Sequence, residues 1–289
     1  MIDNNILKSL FGKAYDNSNV IYKMITDEIN KNKFEYFYLT PEAFREMGKK
    51  KGASWINQYS CNEILQRIYF ATITGYLRQS RWIEGICNGA NTSNYLAFAA
   101  SLRGFLESVT DYYDALYRIP LTLAEQYKLI NRALKGEVTD FIITYKEIED
   151  ILLHFQEANK NDGKTYLLLN PKFAKAYMEN EHLKHLDLYQ CYGELCEITH
   201  PAKNSLELFI DEKNYFYSFN NEKDKILIKD FICRHSERFS ELFMRFENLC
   251  IINLQLLNLF KIDRFYSKSV ESINTEGIKI WEKINQYIK

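Results

Sequence analysis

One long apolar seam near the C-terminal end constrains this chain more than any other feature. Ile228, Ile232, His235, Phe239, Leu242, Phe246, Leu249, Asn253, Leu256 and Phe260 recur in alternating steps of four and three. Side chains at those steps line one face of an α-helix, so the seam specifies about nine helical turns, roughly 50 Å at 1.5 Å per residue. Only His235 and Asn253 interrupt its apolar character. A stripe of that length must be covered by other helices. Two coverings are open: neighbours within the same chain, or a second copy across a dimer seam in which Asn253 fixes the register.

The remaining composition agrees with a helical fold. Among 289 residues there are only 11 Gly and 4 Pro, too few for a turn-rich sandwich or barrel. A hydrophobic fraction of 46%, with 21 Tyr and 19 Phe, supplies ample apolar area and many hydroxyls that need partners. The fold class expected is therefore mostly α, a multi-helix bundle with a small accessory β-hairpin. Residues 1–60 read as an N-terminal helical extension with a short strand at Phe34 to Leu39. Residues 61–289 read as a helical bundle with one continuous core. Lys49 to Ser54 reads as a loop, with Lys49, Lys50 and Lys51 between Gly48 and Gly52 as a solvated basic run.

Two long helices are expected at Cys61 to Cys87 and Ser93 to Leu116, broken at Asn88 to Asn91. Shorter ones follow at Leu123 to Leu134, Phe141 to Ala158, Phe173 to Glu179 and Leu183 to Thr199. The last stops at His200, because Pro201 disfavours helical geometry in the residue before it. Alternation at Leu206, Leu208 and Ile210, a turn over Asp211 to Asn214 and a return at Tyr215 to Phe219 predict the hairpin. A closing amphipathic helix spans Glu271 to Ile288.

Charge and cysteine usage narrow the class of protein. Lys and Arg number 37 against 38 Asp and Glu, a net charge of −1, which gives no global attraction to nucleic acid or anionic membrane. The N-terminus has neither a basic nor an apolar signal region. The longest apolar stretch, Leu249 to Phe260, is interrupted by Asn253, Gln255 and Asn258, so a cytoplasmic protein with no membrane span is expected. Cys61, Cys87, Cys191, Cys196, Cys233 and Cys250 are scattered among apolar neighbours and read as reduced, buried thiols.

Two helices carry polar residues in chemically suggestive places. On the first, Phe98, Leu102, Phe105, Leu106, Val109, Tyr113 and Leu116 form an apolar face, while Arg103, Glu107, Asp111 and Asp114 fall on a separate stripe. An Arg there can hold a phosphate, and the carboxylates can orient it or act as a base. The same residues also read as ordinary i,i+4 pairs, Arg103 with Glu107 and Asp114 with Arg118. On the second helix, Glu197 and His200 are three apart at the C-terminal end. The partial negative charge of a helix C-terminus favours imidazolium, which suits a general acid, and equally suits a histidine that merely caps the last carbonyls.

Metal chemistry finds little support in the spacing. Cys191 and Cys196 point about 140° apart on a helix, so only Cys196 and His200 can share a site. The pairs Glu179 with His182 and Glu197 with His200 stand too close in sequence for two facing di-iron helices. There is no phosphate-loop, dinucleotide-binding, zincin or nucleophile-elbow motif. No cofactor and no metal are expected.

Leu102-Arg103-Gly104-Phe105-Leu106-Glu107, followed by Tyr192-Gly193-Glu194-Leu195-Cys196-Glu197-Ile198-Thr199-His200-Pro201, resembles the HEPN superfamily. More narrowly it resembles the HEPN-like bundles of bacterial phage-defence and abortive-infection loci, over about Ala97 to Ser205. The resemblance implies a helical bundle, a homodimer or partner complex through helices 226–260 or 93–117, and metal-independent cleavage of cellular RNA by a toxin-like effector. In the family's nucleases an Arg precedes the catalytic His by several residues. His200 matches that histidine, but Glu194, Leu195 and Cys196 stand where the Arg would be. Arg103 would then have to supply the cation from the neighbouring helix. Carried over, the site residues are Arg103, Glu107, Glu197 and His200. The other class of function left open is a non-catalytic adaptor or sensor that binds a partner protein.

Overall fold

A computed structural model describes residues 5–31, 37–158, 172–201 and 203–289. The chain is predominantly α-helical with a single two-stranded antiparallel sheet among these residues, as the composition predicts. The order is α1 (Asn5–Phe11), α2 (Ala14–Lys31), α3 (Pro41–Asn91), α4 (Tyr95–Leu116), α5 (Ile119–Glu125), α6 (Tyr127–Leu134), α7 (Lys146–Glu157), α8 (Ala174–Met178), a 3-10 turn (Lys184–Leu186), α9 (Leu188–Thr199), α10 (Lys203–Glu207), β1 (Ile210–Lys213), β2 (Phe216–Phe219), α11 (Asp224–Leu259), α12 (Lys268–Glu271) and α13 (Lys279–Ile288).

Two units divide the chain. The first comprises Met1–Lys23, Gly75–Asp114 and Lys172–Glu247, and the second Met24–Thr74, Ala115–Pro171 and Asn248–Lys289. Residues 1–60 are shared between them.

An aromatic cluster forms the core of the first unit. Phe11 packs on Phe105 at 5.1 Å and on Phe243 at 4.7 Å between ring centroids, and Tyr112 meets Phe246 edge-on at 5.1 Å. Such pairs add to the burial of their area. Close approach of α3 and α4 needs glycine. A Cβ on Gly104 would lie 2.6 Å from the Trp82 indole, and one on Gly75 would lie 2.2 Å from the Tyr112 ring. The N-terminus of α4 is held by Asp224, whose Oδ1 accepts from the Tyr95 amide at 2.7 Å and satisfies one of the unpaired first-turn N–H groups.

In the second unit, buried Asn57 of α3 pins an irregular strap. Its Nδ2 donates to the carbonyls of Val138 at 3.0 Å and Phe141 at 2.8 Å, and its Oδ1 accepts from the Ile143 amide at 2.8 Å. Near the end of α11, Asn258 donates to the Ser267 carbonyl at 2.6 Å and accepts from its amide at 3.0 Å. Helix α13 packs on α5.

The seam of α11 is taken up within the chain. All ten of its residues, from Ile228 to Phe260, are buried, Asn253 completely. This is the intramolecular covering, so any contact between copies through residues 226–260 would use other faces of the helix. The apolar face of α4 is likewise internal, with Phe98, Leu102, Phe105, Leu106, Val109 and Leu116 fully buried.

Several local expectations are corrected. Lys49 to Ser54 is not a loop: α3 runs through it and kinks at Gly52, whose φ of 79° is a left-handed value open to glycine. Leu123 to Leu134 is two short helices rather than one, with Pro120 in the first turn of α5. Leu183 to Thr199 is broken by Asp187 at φ 50°. The first strand is Ile210–Lys213, because Leu206 belongs to α10. In the sequence-predicted strand at Phe34 to Leu39, residues 34–36 lie outside the described residues, and Phe37 to Leu39 are irregular. Not every thiol is buried: Cys233 is exposed and Cys196 half-buried.

Candidate functional site

Helices α4 and α9, both in the first unit, bring Arg103 and His200 together. Arg103 leaves α4 to one side of the buried stripe, and Gly104 seats Trp82 of α3 on a further face of the helix. His200 is the C-cap of α9, with extended backbone at φ −81° and ψ 147°, and its amide still donates to the Cys196 carbonyl at 2.9 Å. Pro201 explains the break in geometry. The imidazole thus projects from the end of the helix and is exposed.

The guanidinium is surrounded by four polar groups. Its Nε donates to Glu107 Oε1 at 3.2 Å. Nη1 donates to Thr199 Oγ1 at 3.4 Å and lies 3.5 Å from His200 Nε2, and Nη2 donates to the Tyr192 hydroxyl at 3.4 Å. The contact between Nη1 and Nε2 is a hydrogen bond only in the tautomer that leaves Nε2 without a proton. The three contacts at Nη1 and Nη2 are long, which makes them weak. An anion that approaches the outer edge of the guanidinium displaces little.

Tyr192 lies beneath the arginine, which sits 5.4 Å from its ring centroid. Burial first, then hydrogen bonds to Glu107 and Cys196, push the Tyr192 phenol up to about 12 against the lowering effect of Arg103. Near neutral pH this side chain is a donor and not a base. Partial burial disfavours the charge on Arg103, but the Tyr192 hydrogen bond and nearby negative groups outweigh it and raise its pKa.

Of the four residues expected at the site, Arg103, Glu107 and His200 are brought together. Glu197 is not among the contacts of Arg103; it accepts from Asn204 Nδ2 at 2.8 Å. The rest of the α4 stripe is divided as well. Asp111 lies 3.9 Å from Arg78, and Asp114 is held by Lys172 and Asn180, each at 2.6 Å, in place of the expected Arg118. Tyr192 and Thr199 are the residues that motif reading missed. Spacing offered a signal, because Tyr192, Cys196 and His200 follow one another by four and share a helix face.

Two further Arg–His–Glu groups lie in the first unit. Glu194 accepts from Arg234 at 2.5 Å and pairs with His235 Nε2 at 2.9 Å. Burial works against the Glu194 charge, but the hydrogen bonds from His235 and Arg234 bring its carboxyl down to about 2. Glu241 similarly binds His185 at 2.9 Å and Arg245 at 2.6 Å. In both groups a carboxylate bridges the cation and the imidazole. At Arg103 and His200 no carboxylate bridges the two, whereas the direct approach of arginine to imidazole recurs in both other groups, at 3.4 Å for Arg234 with His235 and 3.5 Å for Arg245 with His185.

Among the described residues, no group of three His, Cys, Asp or Glu side chains is arranged to hold a metal ion, and no helix is long and apolar enough to cross a membrane. No family model matches the chain, and neither a curated protein nor a solved structure matches it.

Proposed function

We propose that this protein is a HEPN-like ribonuclease of the defence or toxin type, which cleaves cellular RNA by transesterification without a metal. The observation that carries the reading is the 3.5 Å approach of Arg103 Nη1 to His200 Nε2. It joins the two short motifs on which the HEPN resemblance rests, and it sets a cation suited to phosphate beside an imidazole suited to proton transfer.

RNA carries its own nucleophile. In the proposed step the ribose 2′-oxygen attacks the adjacent phosphorus. The P–O2′ bond forms as the P–O5′ bond breaks, leaving a 2′,3′-cyclic phosphate and a 5′-hydroxyl. Arg103 would take the non-bridging oxygens on Nη1 and Nη2, and the charge building there would strengthen that contact in the transition state. With the guanidinium engaged by phosphate, His200 Nε2 is freed to accept the 2′-hydroxyl proton. Glu107 would hold Nε and keep the outer edge of the arginine turned toward substrate. A second copy's His200 would give the leaving 5′-oxygen its proton in a composite dimeric site.

A non-catalytic adaptor is the second reading, and one observation favours it. Tyr215, Phe216, Tyr217 and Phe219 of the hairpin are all exposed, Phe219 at 94%, beside exposed Leu206. Exposed aromatic side chains gathered on one short hairpin offer a partner protein apolar area. Induction of the wild type and of His200→Ala in cells, with growth and RNA integrity followed, separates the two. Growth arrest with fragmented RNA, lost in the variant, supports the nuclease. Equal behaviour of the two proteins supports the adaptor.

A further inference from the structure

The β1–β2 hairpin has one guarded edge and one open edge. Its register pairs Ile210 with Phe219, Asp211 with Ser218, Glu212 with Tyr217 and Lys213 with Phe216, without a bulge. Just beyond it, the Asn220 amide donates to the Phe209 carbonyl at 2.9 Å. Hydrogen-bonded pairs alternate with non-bonded ones along an antiparallel ladder, so Asp211 with Ser218 and Lys213 with Phe216 exchange the internal bonds. The backbone groups of Ile210 and Glu212 on β1, and of Tyr217 and Phe219 on β2, therefore point outward. On β1, Lys223 donates to the Ile210 carbonyl, and Asp211, Glu212 and Lys213 put charge along the strand. On β2, Phe216, Tyr217, Ser218 and Phe219 carry no charge and include no proline. All four are exposed, and no third strand lies beside them among the described residues.

We infer that this open edge pairs with the same edge of a second copy of the chain, β2 against β2 about a two-fold axis, to give a four-stranded antiparallel sheet. A two-stranded sheet is marginal in water and gains from added strands. Edge strands of monomers are protected by charge, proline or a bulge, and β2 has none of these. The two-fold pairing is also self-consistent. When Tyr217 faces the second copy's Phe219, Phe219 faces the second copy's Tyr217, and both outward pairs form their hydrogen bonds. Ser218 then meets its own counterpart on the axis. Ile210, Tyr217 and Phe219 share one face of the sheet, so rings from both copies lie side by side there as favourable cross-strand pairs.

Area and charge fit this occupant. Buried aromatic side chains contribute about 150–250 Å² each, so exposed Tyr215, Phe216, Tyr217 and Phe219 offer on the order of 600 Å² per copy. A standard interface takes about 800 Å² from each side, which places this dimer at the weak end, with dissociation in the micromolar range. Over residues 210–223, Asp211, Glu212 and Glu222 outnumber Lys213 and Lys223, which disfavours nucleic acid and anionic lipid. The helices do not offer the same service, because the apolar faces of α4 and α11 are buried inside the chain. The inference is independent of the ribonuclease reading. It gives the hairpin to a second copy, and so removes the support that the same side chains lend to the adaptor.

The test is sedimentation equilibrium of the full chain, without RNA, from about 1 to 100 μM. Wild-type protein should pass from monomer to dimer within that range. Ser218→Lys and Ser218→Glu each set like charges against one another on the axis, and each should raise the dimer Kd about tenfold or more. An equimolar mixture of the two variants should recover the wild-type dimer, because a lysine then faces a glutamate. Within one hairpin, Ser218→Lys places its charge opposite Asp211, so the monomer keeps its fold, which circular dichroism checks. A wild-type chain that stays monomeric throughout overturns the inference. A dimer unchanged in both Ser218 variants overturns it too, because the copies then meet elsewhere. So does a mixture that stays monomeric, since the axis would not pass through Ser218. A monomer that binds phosphatidylserine vesicles, and no longer does in Phe219→Lys, assigns the open edge to a membrane and likewise overturns it.

Discussion

Replacement of Glu247 by glutamine should stabilise this protein at neutral pH and do nothing at pH 4. The carboxyl is 3% exposed in the first unit, with the Tyr76 hydroxyl at 3.5 Å. That hydroxyl also lies 3.0 Å from the Ser18 carbonyl, to which it donates. Burial lifts the Glu247 carboxyl well above its ordinary value of 4.5, and the Tyr76 contact only partly offsets this. The folded state therefore holds a proton that the unfolded state has already released. Stability from this group is complete below about pH 4.5 and falls as pH rises toward the folded value, by about 1.4 kcal/mol for each unit crossed. Glu247→Gln keeps the shape and removes the titration. The difference between variant and wild type should be near zero at pH 4 and grow through neutrality. Each kcal/mol corresponds to about 2–4 °C in Tm for a chain of this size. Thermal unfolding followed by circular dichroism from pH 4 to pH 8 measures it. A difference that does not change with pH, or a variant less stable than the wild type at pH 7, would refute the reasoning.

Other consequences follow from the same geometry. Glu194→Gln should lower stability by about 1–2 kcal/mol at pH 7, because it breaks a partly exposed bridge to Arg234 and His235. The effect should fade as pH falls from 4.5 toward about 2, the window over which the folded carboxylate outlasts the unfolded one, and pH-dependent denaturation reads it. Gly104→Ala should cost about 1–3 kcal/mol in chemical denaturation, since its methyl would lie 2.6 Å from the Trp82 ring. Tyr215 occupies the second position of the hairpin turn at φ 66°, after Asn214 at φ 51°. Both central residues of that turn are left-handed, where glycine is favoured. Tyr215→Gly should therefore slow hydrogen exchange of the β1 and β2 ladder amides by about fivefold or more.

Much of the architecture was legible because long periodic segments constrain themselves. The α11 seam and the ends of α4 follow from apolar spacing over many turns. The end of α9 follows from Pro201. Short features were less legible. Leu206, Leu208 and Ile210 alternate like a strand, yet Leu206 closes α10, and the turn falls at Asn214 and Tyr215. A tyrosine in a left-handed turn position breaks the residue preference on which the sequence argument relied. The Lys49 to Ser54 segment looked like a loop because it holds a lysine run bracketed by Gly48 and Gly52, but only Gly52 departs from helical geometry.

Site residues divide along the same line. Arg103 and His200 were each identifiable from local sequence, but their meeting depends on how α4 and α9 pack, which no spacing encodes. Glu197 shares a face with His200 in one dimension and is drawn instead to Asn204. Tyr192 supports Arg103 by its ring, a role that a search for acids and bases passes over.

The most direct test of the central claim is made with purified protein and RNA in the presence of EDTA, with the chemistry of the cut ends determined. The account predicts 2′,3′-cyclic phosphate and 5′-hydroxyl ends from the wild type. It predicts rates at least about 100-fold lower for both Arg103→Ala and His200→Ala. Intact RNA with the wild type, or undiminished cleavage by either variant, would contradict it.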